Sequence, residues 1–560
     1  MPPRRNIALV IAGGASLGSY EAGVMTELLY ALEYLNRTRK PDEPEYVIDV
    51  MTGGSAGALT AILVARIMMY DIEARSRLYK SWVERIDIVE LMQRAPDNAL
   101  LSKAVIQSLA REFIIEGSED AASRTAVASF APSTLRLSLS LSNMNGIDYA
   151  LPALSTAMVT GKRFVTTLFS DTAEFRLSEQ TLLDAALWTE IVDAAIASSS
   201  FPIAFQPEAV VRRPTDYPES LLSQPPLKFF PSLNQPGPSQ RPMTFLDGGI
   251  FNNEPLQEAI KLARDADGGI PDPNRLFLLV DPAINVSSFD PAVDPEAPLE
   301  NHVSRLIQMI FNQGQAIQWL RQAYLKNTEI AWRDELVKGI TYLVRTSDIA
   351  SDAQFVDGLQ QLTQRVIREK SRLAEEDDIQ PALEALLKTV EDRFSKEYAS
   401  LKSVPRGAQK QDVFRNLVFI LNTVANLEDK ATLQFSVIGS TPGQTAGDQI
   451  SGFGGFFNQE WRQYDYRQGR IEAHNRLREI LAVNYPKEQA NGRTIDDYRI
   501  EQDFSDVTLS DADRDLRKAI RRTILDRFAK LVGNTLKVPA SGWLVTQVLL
   551  RPRVSELLKL

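Results

Sequence analysis

The period of the hydrophobic positions changes several times along the chain. Asn6 to Ala12 (NIALVIA) is an unbroken apolar run, the pattern of a parallel strand buried on both faces. After Gly13-Gly14-Ala15-Ser16-Leu17-Gly18 the period becomes helical, with Tyr20, Val24, Leu28, Leu32 and Leu35 on one face. Tyr46 to Met51 is rich in β-branched residues and reads as a second strand. It breaks at Gly53-Gly54-Ser55-Ala56-Gly57 and resumes as a buried helix, Ala58 to Ala65. Strand, glycine turn, helix and strand form a βαβ unit. Leu135 to Leu141 (LRLSLSL) alternates, which predicts a strand half open to a polar neighbour or to solvent. Glu179 to Ala197 predicts a helix that runs into small residues, Ala197 to Pro202, suited to close packing. Short strands follow at Thr244 to Leu246 and Leu276 to Val280. Such alternation predicts a doubly wound α/β layer with ligands at the carboxyl ends of the strands.

The second half reads differently. From Asn301 to Glu428 no strand pattern is convincing. Phe355, Leu359, Leu362 and Val366 share one helix face, and Leu383, Leu387, Val390, Phe394 and Leu401 form a stripe near coiled-coil spacing. Leu433 to Gly439 returns as a strand, and helices are expected from there to Leu560. A chain of 560 residues exceeds one ordinary domain. The expected division is an α/β core over 1–285, a helical insertion over 286–430, a returning core strand at 431–442 and a helical C-terminal region over 443–560. Arg212 to Pro242 is Pro- and Ser-rich and reads as a surface loop or flap carrying Phe229-Phe230.

Composition narrows the chemistry. With 62 basic and 72 acidic residues the net charge is −10, which argues against nucleic acid as a partner and against general attraction to anionic membranes. The absence of cysteine excludes disulfides, thiolate catalysis and Cys-based metal sites. His302 and His474 are the only histidines, so a histidine-rich metal site is excluded as well. The N-terminal run is too short and lacks the cleavage pattern of a signal peptide, so it reads as a core strand. No apolar stretch reaches the roughly 20 residues that span a bilayer. A cytoplasmic protein is expected, with peripheral membrane contact as an option.

A strand that turns into a helix through Gly53-x-Ser55-x-Gly57 has the form of a nucleophile elbow, which exposes the serine hydroxyl at the strand's carboxyl end. Ser55 then needs a base. His302 falls within a long amphipathic helix and His474 within the helix Ile471 to Leu481 amid exposed charge, where a catalytic histidine is poorly placed. Asp247, in a glycine loop directly after a strand, is better placed. It could take the serine proton itself, more effectively if partial burial lifts its pKa, or it could simply cap the Asp-Gly turn. The Gly13 to Gly18 loop has two readings, a dinucleotide-binding turn or an oxyanion loop. The oxyanion reading is favoured, because Ala15 replaces the middle glycine of the fingerprint and no ribose-binding acid stands at the next strand end.

The three motifs, Gly13-Gly14-Ala15-Ser16-Leu17-Gly18, Gly53-Gly54-Ser55-Ala56-Gly57 and Asp247-Gly248-Gly249, in that order and each after a strand, resemble the signatures of the patatin-like phospholipase family. Ala197-Ser198 to Pro202 and Asn252-Asn253-Glu254-Pro255 also resemble stretches of it. The resemblance covers about residues 6–285 and the strand near Leu433. It implies a three-layer αβα core with a mostly parallel sheet, to which a helical insertion and a helical C-terminal region are added. It further implies Ser55 as nucleophile, Asp247 as base, and an oxyanion hole from Gly13, Gly14, Ala15 and Ser16. Gly18, Gly53, Gly57, Gly248 and Gly249 would shape the motifs. The implied reaction is hydrolysis of lipid acyl esters of phospholipase A, lysophospholipase or lipase type, with no metal or organic cofactor. The chain departs from the family pattern at Ala15, where a third glycine is usual, and at Leu17, where a cation is common; the second bears on whether the ester is a phospholipid. The alternatives are a catalytically silent lipid- or protein-binding module on this fold and a nucleotide-binding loop at Gly13 to Gly18. Phe229-Phe230 and Phe453 to Phe457 with Trp461 are candidates for a membrane-facing surface, or equally for core packing.

Overall fold

A computed structural model describes residues 3–151 apart from 94 and 97, 164–217 apart from 203, 240–282 apart from 270 and 271, 315–371, 378–440 apart from 426 and 428–431, 444–448, 452–494 apart from 488, 491 and 492, and 514–536. The chain divides into two compact units, one comprising Met1–Ala263, Asn274–Trp319 and Gln434–Leu560, the other Arg264–Pro273 and Leu320–Leu433. The strands of the main sheet are β1 (Arg4–Ile11), β2 (Glu45–Gly53), β3 (Thr134–Leu151), β4 (Phe164–Ser178), β5 (Glu208–Arg212), β6 (Arg241–Asp247), β7 (Leu276–Asp281) and β8 (Gln434–Gly439). The longer helices are α1 (Gly18–Thr38), α2 (Ala56–Tyr70), α3 (Ala185–Ser198), α4 (Leu256–Ala266), α5 (Gln315–Thr346), α6 (Ala353–Ser371), α7 (Gln380–Arg393), α8 (Gly407–Val424), α9 (Gln459–Leu481) and α10 (Arg514–Leu536).

In the first unit the eight strands form one mixed sheet in the order β5-β6-β3-β2-β1-β7-β8, with β4 paired to β3 off that path. Along that order the five strands from β3 to β8 run parallel to one another, and β4, β5 and β6 add the antiparallel pairs. This is a three-layer α/β fold. Ile7, Leu9 and Ile11 join the main apolar cluster with α1, α2 and α3, whereas Ala8, Val10, Phe277 and Leu279 are buried outside that cluster, as are Leu256 and Ala259 of α4. Side chains of a strand alternate between faces, so a doubly covered strand must be apolar throughout. That is why the β1 run carries no polar break.

Two local features explain residues that look misplaced in the sequence. Asp49 interrupts an apolar strand at a bulge, where Ile7 pairs with Ile48 and Ala8 with Val50. Its carboxylate takes both guanidinium nitrogens of the fully buried Arg275, the Nη2 bond being 2.9 Å. The alternating serines of β3 do not face solvent. Ser138, Ser140 and Ser142 are buried; Ser142 Oγ donates to the Asp247 carbonyl at the end of β6, whereas the Ser138 and Ser140 hydroxyls have no hydrogen-bond partner among the described residues.

The C-terminal helix α9 packs along α1 at a close glycine crossing. A Cβ on Gly23 would lie 2.0 Å from the Tyr466 carbonyl oxygen, and one on Gly469 2.2 Å from that of Tyr20. This corrects the reading of His474. It does not sit amid exposed charge but is buried against α1, 3.0 Å from Glu27, which also accepts from Arg470 at 3.0 Å. The aromatic stretch Phe453 to Phe457 with Trp461 packs into the same core and is not a surface patch. Phe229-Phe230 and His302 lie outside the described residues. Among the described residues no helix is long and apolar enough to cross a membrane.

The second unit is built on α5 to α8 around Val337, Val344, Leu359, Ile367, Leu387, Val390, Phe394, Leu401, Phe414 and Phe419. On α6 the buried line runs Leu359, Thr363 and Ile367, so Leu362 is 48% exposed rather than part of the core face. Steps of four track the packed side there, and Leu362 falls one position ahead of it.

Candidate active site

β2 ends at Gly53, and α2 starts at Ala56 with Ser55 between them at φ 50° and ψ −126°. A serine held at positive φ is strained, and such strain persists only where the surroundings over-determine it. Here they do. The Ser55 N–H donates to Ser198 Oγ at 3.0 Å, and its carbonyl accepts from Ser199 Oγ at 2.8 Å. Gly57 allows the turn to close: a Cβ there would lie 2.4 Å from the carbonyl oxygens of Ile11 and Ala12 at the end of β1. The Ser55 side chain remains half-buried and therefore reachable.

Asp247 is the last residue of β6, which runs antiparallel to β3 with Asp247 paired to Leu141. Its N–H donates to the Ser200 carbonyl at 3.0 Å, and its carbonyl accepts from Ser142 Oγ at 2.7 Å. Gly248 sits so close to β3 that a Cβ would fall 2.1 Å from the Ser140 carbonyl oxygen. The structure thereby brings the Asp247 carboxylate to Ser55: Ser55 Oγ donates to Oδ2 at 2.7 Å, and Oδ1 accepts from the Gly249 N–H at 2.7 Å. The side chain is 1% exposed. Burial disfavours the charged form and pushes the pKa up from 3.8 to about 7, against the lowering effect of the two hydrogen bonds. A carboxyl that exchanges its proton near neutral pH, in contact with a serine hydroxyl, can act as a general base.

The Gly13 to Gly18 loop lies beside this pair; a Cβ on Gly13 would be 2.6 Å from Ser55 Cβ. Its donors differ from the four expected. The Gly13 N–H donates to the Asn253 carbonyl at 3.2 Å, so Gly13 has no free donor, and its own carbonyl accepts from Asn253 Nδ2 at 3.2 Å. The N–H groups of Gly14, Ala15 and Ser16 donate to no group among the described residues. Ala15, the position where the sequence departs from glycine, has φ 50°. Ser16 is buried, its hydroxyl donating to the Gly452 carbonyl and accepting from the Gly455 N–H at 2.9 Å. Gly18 lies against the Trp82 ring, Gly53 against the Gly57 carbonyl and Gly249 beside the Asp247 carboxylate. Leu17 is buried and supplies no cation.

Leu59 and Leu63, one and two turns beyond Ser55 on α2, open with Trp82, Ile86, Ile106, Leu109 and Phe113 onto an apolar cleft. Among the described residues no cluster of His, Asp or Glu could hold a metal ion. Sequence reasoning missed the supports of the pair, namely Ser142, Ser198, Ser199, Ser200 and Asn253. For Ser198, Ser199, Ser200 and Asn253 a signal was present in the runs Ala197 to Pro202 and Asn252 to Pro255, but small polar residues at a helix end read equally well as packing; Ser142 lies in neither run.

Comparison with known proteins follows the same segment. The family model for patatin-like phospholipase matches residues 9–260. The chain is also similar to y4iI, an uncharacterized protein of Sinorhizobium fredii (strain NBRC 101917 / NGR234), at 24% identity over 322 residues, which covers 46% of this chain and 45% of the relative. The chain therefore spans less than half the length of that relative.

Proposed function

Since residues 9–260 form a patatin-like phospholipase domain, we propose that the chain is a serine hydrolase of lipid acyl esters working through a Ser55–Asp247 dyad. One observation carries the reading: a half-buried serine hydroxyl donates at 2.7 Å to a buried carboxylate that titrates near neutral pH. Ser55 Oγ attacks the acyl carbonyl while its proton passes to Asp247. The oxyanion forms beside the Gly14 and Ala15 N–H groups, which give up no hydrogen bond to a described residue to serve it. Collapse of the tetrahedral intermediate breaks the ester bond, and the leaving alkoxide takes the proton from Asp247. A water then attacks the acyl-enzyme and gives its proton to Asp247; collapse of this second intermediate breaks the acyl–Oγ bond, Asp247 returns the proton to Ser55 Oγ, and the fatty acid leaves. Each step uses one proton shuttled by one carboxylate, so no histidine is needed. The buried Leu17 offers no charge to a phosphate, which favours lipid esters in general over phospholipids alone.

Fluorophosphonate labelling of purified protein tests this, with wild type beside Ser55→Ala. Labelling of wild type that vanishes in the variant, together with fatty-acid release from phosphatidylcholine or monoacylglycerol vesicles, is expected. Labelling that persists in Ser55→Ala would move the nucleophile elsewhere. A folded wild type that neither labels nor hydrolyses any ester, with or without vesicles, would leave a silent binding module on the same fold.

A further inference from the structure

In the second unit, α5 has two apolar faces. Ile330, Val337 and Val344 are buried on one. On the opposite side Trp332 is 73% exposed, Tyr324 72% and Tyr342 71%, and Leu325, Leu336 and Leu343 are about half exposed. Single exposed apolar residues are ordinary, but six on one helix face form a patch that usually marks an interaction site. The line Leu325, Trp332, Leu336 and Leu343 advances by seven, four and seven residues, so it stays on one face and reads the same in both directions.

That palindrome points to the occupant. We propose that this face of α5 pairs antiparallel with α5 of a second copy of the chain about a twofold axis beside Asp334. Such an axis makes an interface self-complementary. It sets Leu325 against the partner's Leu343, and Trp332 against the partner's Leu336. Glu329, the acid within the stripe, falls opposite the partner's Gly339 rather than opposite another glutamate. Gly339 leaves room there, since an added Cβ would meet nothing within 4 Å. The paired stretch from Leu325 to Leu343 is about 27 Å long. The four side chains of the line expose roughly 450 Å² per copy and Tyr324 and Tyr342 flank it, so the pair buries roughly 900–1,400 Å², from the small end to the middle of the range of specific protein interfaces.

Sedimentation of the full chain at micromolar concentration should give a dimer, and Trp332→Glu or Leu336→Glu should return monomer at unchanged circular dichroism, weakening association at least tenfold. The chain has no cysteine of its own, so register is read directly. Leu325→Cys protein mixed with Leu343→Cys protein should form a disulfide-linked dimer on mild oxidation, and neither variant alone should. A monomeric wild type, a dimer untouched by either glutamate, or crosslinking of Leu325→Cys to itself would overturn the proposal. So would a monomer that floats with phosphatidylcholine vesicles through Trp332, which would assign the face to lipid.

Discussion

Asp247→Asn tests whether the buried carboxyl holds its proton as the geometry demands. The side chain is 1% exposed. Its pKa moves from 3.8 to about 7 in the fold, which favours the neutral form by roughly 4 kcal/mol. The sign follows from proton linkage. A group whose folded pKa is raised contributes stability that is complete below its unfolded pKa and is lost as pH rises through the folded one. Wild type should therefore weaken relative to the asparagine variant between about pH 4 and pH 7, and the difference should be flat above that. Between about pH 5 and pH 8.5 the gap should open by roughly 2–3 kcal/mol, with the asparagine variant the more stable protein at the alkaline end. Chemical denaturation of both proteins across that range measures it. Activity should run the other way. The wild-type kcat/KM should rise about tenfold per pH unit below 7 and level off above it, and the variant should be about 10²- to 10⁴-fold slower with no such inflection. Parallel stability curves for the two proteins would refute the burial argument. Wild-type esterase rates in the variant would refute the base.

Other substitutions address the supports. Ala15→Gly should relieve a residue held at φ 50°, and stabilise the protein by up to about 1 kcal/mol; thermal unfolding checks this, and a lower midpoint would count against strain at that position. Arg275→Met should destabilise by about 3–5 kcal/mol because it leaves the Asp49 carboxylate buried without its guanidinium. Pairing it with Asp49→Leu should recover most of the loss, and a double-mutant cycle in urea measures the coupling. His474→Phe should lower stability by about 1–3 kcal/mol through the lost Glu27 contact yet leave fluorophosphonate labelling intact; a folded variant that no longer labels would bring the histidine into the chemistry.

Elements with a local signature were legible in the chain alone. Unbroken apolar runs marked the doubly covered strands β1 and β7, because both faces of such a strand meet helices. The glycine clusters marked tight strand-to-helix turns, because only a residue without a Cβ permits the observed approach of Gly57 to β1 or Gly248 to β3. Ser55 and Asp247 stood out as candidates for the same reason, since each stands at a strand end beside glycines. What depends on residues far apart in the chain was settled by packing. Ser142 of β3 and the serines of the Ala197 to Pro202 run look like ordinary small residues until β6 packs antiparallel to β3 and bonds Asp247 and Gly248 to them. The free donors of the Gly13 to Gly18 loop were also fixed there, because Asn253, distant in sequence, takes the Gly13 N–H. His474 carries charged neighbours in sequence, and only the glycine crossing of α1 with α9 buries it; the Phe453 to Phe457 aromatics have loop-like neighbours, and packing against Phe201 and the main core buries them. Local pattern records which face of an element is apolar; it does not record which partner covers that face, and that choice sets the proton affinity of Asp247.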